Sequence, residues 1–204
     1  MEFVPGKFHS SVCRADLKYR ARLALSGRWS VVILAVVVFA LITLACGMVP
    51  LVGPVLLMPP LALGLDIFFL RFYRYGENQI ENMFKGFDMF GKAMGVFWLT
   101  QLYVFLWSLL FIVPGIIASY NYSQAMLILY ENPEITVTEA LRRSNAMMYG
   151  NKMTLFIQDL SFLGWFLLSI FPGLYIGFLW SQPYYYVTRI AFYDNLLESA
   201  GMMY

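Results

Sequence analysis

The chain bends at three uncharged, proline-marked tips, Pro50, Pro114-Gly115 and Pro172-Gly173, each set between two apolar stretches. All 14 Lys and Arg residues lie elsewhere, toward the far ends of those stretches. Val31–Val49, Ala93–Val113 and Met153–Phe171 carry no charge apart from Asp159. Each has the length of a transmembrane helix, about 20 residues at 1.5 Å rise across a ~30 Å hydrocarbon core. The stretches after the tips, Leu51–Leu65, Ile116–Tyr130 and Leu174–Thr188, are shorter before a charge is met. Long basic side chains snorkel to the interface and Tyr and Trp suit that level, so these too qualify. The composition is 60% hydrophobic and 13% charged, whereas soluble domains carry about 25% charge. The expectation is an all-α polytopic membrane protein with six transmembrane helices forming three Pro-tipped hairpins.

The placement of charge gives an orientation. Six basic residues precede the first span, four surround the connection to the second hairpin (Arg71, Arg74, Lys85, Lys92), and three the connection to the third (Arg142, Arg143, Lys152). Because Lys and Arg are retained on the cytoplasmic side, both termini and both long connections are expected inside a bacterial plasma membrane. Anionic lipid headgroups account for these charges, so nucleic acid is not an expected partner. The tail 1–13 precedes a single membrane domain, 14–204, with hairpins at about 29–74, 92–131 and 152–195. Cys13 and Cys46 form no disulfide framework. Leu44-Ala45-Cys46 only faintly resembles a lipoprotein cleavage box, and retention of the first span is expected.

The second and third tips align at an offset of 58 residues, Trp107-x-Leu-Leu-x-Ile-x-Pro114-Gly115 against Trp165-x-Leu-Leu-x-Ile-x-Pro172-Gly173, with Ser123-Gln124 falling on Ser181-Gln182. The first hairpin fits loosely, through Pro50. Each hairpin is preceded by a short amphipathic helix candidate ending near a glycine. Leu17, Ala21, Ala24 and Leu25 lead to Gly27. Ile80, Met83, Phe84 and Phe87 lead to Gly91, and Val137, Ala140, Leu141, Ser144 and Met148 lead to Gly150. Thr136-Val-Thr-Glu139 reads as a capping box, and the terminal glycines suit left-handed C-caps. Such helices either lie at the membrane interface, sensing lipid, or simply cap the bundle.

Soluble-type chemistry finds little support. Gly86–Lys92 has most of a phosphate-binding loop, but Ala93 stands where a Mg²⁺-binding hydroxyl belongs and no strand precedes it. His9 is the single histidine, too few for a His-rich zinc site. There is no Gly-x-Ser-x-Gly or Cys-x-x-Cys. Small residues recur every four positions at Gly115, Ser119 and Ser123, at Gly173, Gly177 and Ser181, and at Gly91 and Gly95, a pattern that lets helix backbones approach. Packing within the bundle is the plain reading of these seams; a homodimer face or a substrate-lined seam is the other.

Intramembrane polar residues are costly and mark either a site or a buried pair. Gln101, Asn121, Gln124, Gln158, Asp159 and Gln182 fall within the spans, with Asp66 near an interface. Gln124, Asp159, Gln182 and Arg189 form the candidate polar cluster. Asp159 and Arg189 lie at similar depths below the third tip, so the expectation is an ion pair across that hairpin, the alternative being a proton or substrate relay with both residues lining a cavity. Pro183, followed by three tyrosines, is expected to disrupt the last helix, either as a packed kink or as the kind of break transporters use for binding.

Several of these stretches also carry a resemblance. They include Val113-Pro114-Gly115-Ile116, Asn132-Pro133, and Ala140-Leu141-x-x-Ser144-x-x-Met147-Met148-x-Gly150-x-Lys152. Gly27-x-Trp29, Met83-Phe84-x-Gly86-Phe87, Leu160-Ser161-Phe162-x-Gly164-Trp165, Pro183-Tyr184 and Phe192-Tyr193 complete the set. The chain resembles the bacterial integral-membrane family catalogued as domain-of-unknown-function family 975. The resemblance implies a multi-span protein with no established reaction, and supplies no catalytic residues. The expected role is therefore non-enzymatic and cofactor-free, a scaffold or accessory subunit acting on membrane lipids, a protein partner or a second copy of itself. The alternative is a small transporter or exporter of a lipid-like or amphiphilic molecule.

Overall fold

The computed structural model describes residue 8 and residues 14–48, 53–168 and 175–202. Among these residues the regular elements are all helical. They run α1 (Arg14–Leu25), α2 (Trp29–Gly47), α3 (Met58–Tyr75), α4 (Phe90–Leu110), α5 (Ile112–Asn121), α6 (Ala125–Glu131), α7 (Val137–Met147), α8 (Lys152–Leu168) and α9 (Tyr175–Ser199). A π-helical turn, Gly53–Leu57, leads into α3, and a 3₁₀ segment, Ile80–Met89, leads into α4. Among the described residues four stretches are long and apolar enough to cross a membrane: Trp29–Gly47, Gly53–Tyr75, Ile80–Leu110 and Ile112–Glu131. Only 17% of the spanning window is buried in Trp29–Gly47 and 11% in Ile80–Leu110, against 61% in Gly53–Tyr75. So α2 and α4 form the outside of the bundle and α3 its middle.

The core lies where α1, α2, α3 and α9 meet. Leu17, Ala21 and Leu25 of α1, Val32 and Ala35 of α2, and Phe68, Phe69 and Phe72 of α3 close around Val187, Ile190–Tyr193 and Leu196. From Ile190 to Leu197 every residue of α9 is buried, as befits a helix surrounded by others.

At the one described tip the turn departs from its proline. Pro50 and Pro172-Gly173 lie outside the described residues. In the second hairpin the chain reverses at Phe111, which is fully extended (φ −162°, ψ 156°), and Pro114 sits inside the first turn of α5. First-turn amides have no helical acceptor, so proline loses nothing there. Pro183 does not disrupt α9, which is continuous from Tyr175 to Ser199.

Gly53–Tyr75 runs ten residues past the last residue of its uncharged stretch, Leu65, and ends near the expected hairpin boundary at about 74. Its two arginines are paired there. Arg74 is bidentate to Asp194, Nη2 donating to Oδ1 at 2.6 Å and Nε to Oδ2 at 3.1 Å, and also bonds Glu131, which accepts from the Tyr193 hydroxyl. Arg71 binds Glu77 at 2.7 and 2.8 Å. The Arg74 cluster ties α3, α6 and α9 together at one end of the bundle.

The connection before α4 is 3₁₀ rather than α, which changes its face. With three residues per turn, Ile80, Met83, Gly86 and Met89 share one side; Met83 and Gly86 are buried, whereas Phe84 is 48% exposed. Two glycines explain the seating. A Cβ at Gly64 would lie 1.7 Å from the Met83 carbonyl oxygen, and one at Gly86 would lie 2.0 Å from that of Pro60. Gly27 and Gly150 are left-handed (φ 74° and 82°) as expected, but Gly91 lies within α4; Gly76 (φ 66°) is the left-handed cap of α3.

At α7, Thr136 accepts from the Glu139 amide at 3.3 Å, half of a capping box. The other half is missing because the Glu139 carboxylate turns to Arg142 and Arg143, both at 2.7 Å. Those two guanidinium groups hold Glu139 well below the usual carboxylate range, at about 2.

Candidate functional site

The return stretch Ile112–Glu131 is broken in its middle. Five successive hydrogen-bonding side chains, Tyr120 to Gln124, occupy this region, and α5 ends at Asn121 while α6 begins only at Ala125. The Ser123 hydroxyl donates to the Tyr120 carbonyl at 2.9 Å, the local competition that weakens a helical ladder. Two backbone groups are left over, and α7 serves both. The Ser144 hydroxyl donates to the Asn121 carbonyl (2.7 Å) and accepts from the Gln124 amide (3.2 Å). In an apolar setting each such group left alone would be costly, so one fully buried hydroxyl makes the break tolerable.

The break borders a cavity of about 390 Å³ between α3, α4, α5, α6, α8 and α9. Its polar wall includes Gln101, Tyr120, Ser123, Asp159 and Arg189, and its apolar wall Val96, Phe97 and Met126. The Tyr120 hydroxyl donates to Asp159 Oδ2 at 3.0 Å. The other oxygen, Oδ1, is buried without a hydrogen-bond partner. Arg189 stands over the Tyr185 ring at 5.7 Å, and its Nη1 reaches the Tyr185 hydroxyl at 3.5 Å, the long limit of a hydrogen bond. Asp159 and Asp66 both act electrostatically on Arg189. The Asp159–Arg189 ion pair expected from the sequence is not made: both line the same cavity, each held by a tyrosine, with no salt bridge between them.

The four polar residues read from the sequence therefore separate. Asp159 and Arg189 share the cavity. Gln182 instead lines a second, apolar hollow of about 750 Å³ with Phe39, Thr43, Leu65 and Tyr186. Gln124 is buried, its amide nitrogen donating to Ser123 Oγ at 3.2 Å. Among the seam residues, Gly115 meets α4, where an added Cβ would lie 2.0 Å from Ser108 Oγ. Ser119 and Ser123 line the cavity while donating to carbonyls of α5. Ser181 is buried and Gly177 half-buried, and Gly173 lies outside the described residues. Gly95 abuts Val137, but Gly91 meets nothing. Among the described residues no three His, Cys, Asp or Glu side chains group as metal ligands would.

Sequence reasoning missed Tyr120 and Tyr185 as the partners of Asp159 and Arg189, and Ser144 as the support of the break. The run Tyr120–Gln124 was the available signal, five polar or phenolic side chains in succession where a spanning helix expects none.

The chain belongs to the family described as protein of unknown function, DUF975. Two stretches match its model, residues 12–118 and 110–200, and the second contains Tyr120, Ser144, Asp159 and Arg189. The family brings no reaction with it. No curated protein and no solved structure matches the chain.

Proposed function

We propose that this is a non-enzymatic, six-span plasma-membrane protein, with both termini cytoplasmic, that binds an amphiphilic molecule in the cavity bordered by the α5–α6 break. Four apolar spanning stretches support the membrane setting, and α8 and α9, which pack against one another, would supply the third hairpin. The observation that carries the reading is a carboxylate and a guanidinium lining one intramembrane cavity without neutralising each other directly. Two ions serving only structure would be expected to pair, since desolvation is repaid only by close contact. A helix broken beside such a cavity is also the device by which transporters offer polar groups at membrane depth.

This favours the binding and transport alternative over a purely structural scaffold, whose interior would be sealed. The amphipathic helices before each hairpin and the repeat between the second and third hairpins fit the same reading, as interfacial supports and as a duplicated frame for the site. The test is reconstitution. In proteoliposomes the wild-type chain is expected to bind and move an amphiphile, and Asp159→Asn and Arg189→Gln to lose most of that activity while remaining folded. A protein that moves nothing and co-purifies with a stoichiometric partner would overturn the proposal in favour of a scaffold.

A further inference from the structure

We infer that the cavity takes a cationic amphiphile, an alkylammonium head seated against Asp159 with its chain leaving between α4 and α5 toward the bilayer. The inference rests on the reading of this cavity as an amphiphile site. Its first support is charge balance. The formally charged residues lining the cavity are Asp159 and Arg189, and Asp66 lies one turn of α3 from the lining residue Ala62. One guanidinium cannot neutralise two carboxylates, and a lone carboxylate away from water is costly. A monocationic head supplies the missing charge; an anionic head would meet the Asp159 carboxylate in the same wall as the guanidinium.

The second support is the wall itself. Phe97, Tyr120 and Tyr122 line the cavity, and aromatic faces attract ammonium groups, most strongly when these are desolvated. Asp159 Oδ2 accepts from Tyr120 and the Tyr185 side chain also lies within hydrogen-bonding reach; an ionised carboxylate has about four acceptor sites, so it retains capacity for a cation on the cavity side.

The third is access. Gln101 and Ser119 line the cavity yet are exposed at the side of the bundle. Their neighbours Leu102 and Ile116 are exposed apolar residues, 50% and 45%. The mouth thus opens where lipid chains would lie, and a volume near 390 Å³ is at the small end of ligand sites, room for a head rather than a whole amphiphile.

Titration calorimetry on the full chain in lipid nanodiscs, corrected against empty discs, tests this with dodecyltrimethylammonium, dodecyl sulfate and tetramethylammonium. The dodecyl cation is expected to bind saturably, roughly tenfold or more weaker to Asp159→Asn and near wild-type to Asp159→Glu, which keeps the charge and controls for folding. Tetramethylammonium, lacking the chain, is expected to bind at least about tenfold more weakly. Unchanged binding to Asp159→Asn, or tetramethylammonium binding as tightly as the dodecyl cation, would overturn the inference. Saturable dodecyl sulfate binding lost in Arg189→Gln would overturn the cationic class yet leave the amphiphile site standing. Binding of neither dodecyl compound would overturn both.

Discussion

Gly64 and Gly86 set how closely the 3₁₀ segment lies on α3, since each leaves room for a carbonyl oxygen where any other residue has a Cβ. Gly64→Ala is expected to separate the two backbones and cost on the order of 1–3 kcal/mol. Gly91→Ala, with nothing within 4 Å of the added methyl, should be neutral or slightly stabilising because Ala favours the helix by up to ~1 kcal/mol. Midpoints of thermal unfolding in detergent would separate the two; equal midpoints would contradict the close approach. Glu139 makes a pH prediction. Its carboxyl is held at about 2 in the folded chain against an ordinary 4.5. A value depressed by folding adds stability that is fully present above 4.5 and is lost as pH falls through about 2. The difference in midpoint between wild type and Glu139→Gln should therefore shrink across that window, and a constant difference would show that the Arg142 and Arg143 contacts contribute nothing.

Among the elements, the ionic cluster at the end of α3 joins three helices, α3, α6 and α9. The Arg74 side chain is 19% exposed, Glu131 21% and Asp194 4%, so removing the guanidinium strands two largely buried carboxylates. Arg74→Met should cost about 3–5 kcal/mol, read as loss of folded protein in detergent, and Arg74→Lys should recover only part, because an ammonium lacks the two-pronged geometry Asp194 uses. The helical elements were legible from the sequence because apolar run length and charge placement are local properties. Their faces were less so. Ile80, Met83, Phe84 and Phe87 fit an α-helix, but Ile80, Met83, Gly86 and Met89 fit a 3₁₀ helix equally well, and contact with Gly64 decided between them. The break after Asn121 was visible only as a polar run, since whether a ladder opens there depends on a hydroxyl twenty residues later in the chain. Asp159 and Arg189 were legible as costly charges; that each is held by a tyrosine was not, because Tyr120 and Tyr185 reach them through tertiary packing.

For the whole molecule, the expected orientation makes a direct prediction. In a chain with Cys13 and Cys46 replaced by Ser, Phe111→Cys at the second tip should react in intact cells with a membrane-impermeant maleimide. Tyr149→Cys, beyond α7, should react only after lysis; both positions are exposed, 73% and 62%. The opposite pattern would invert the topology. The Ser144 contact then acquires a mechanical meaning. One hydroxyl grips both sides of the gap between α5 and α6, and that gap borders the cavity. Any displacement of α7 along its axis would have to strain or break one of those two bonds. The connection between the second and third hairpins is in that sense a handle, and the cavity is the far end of the lever.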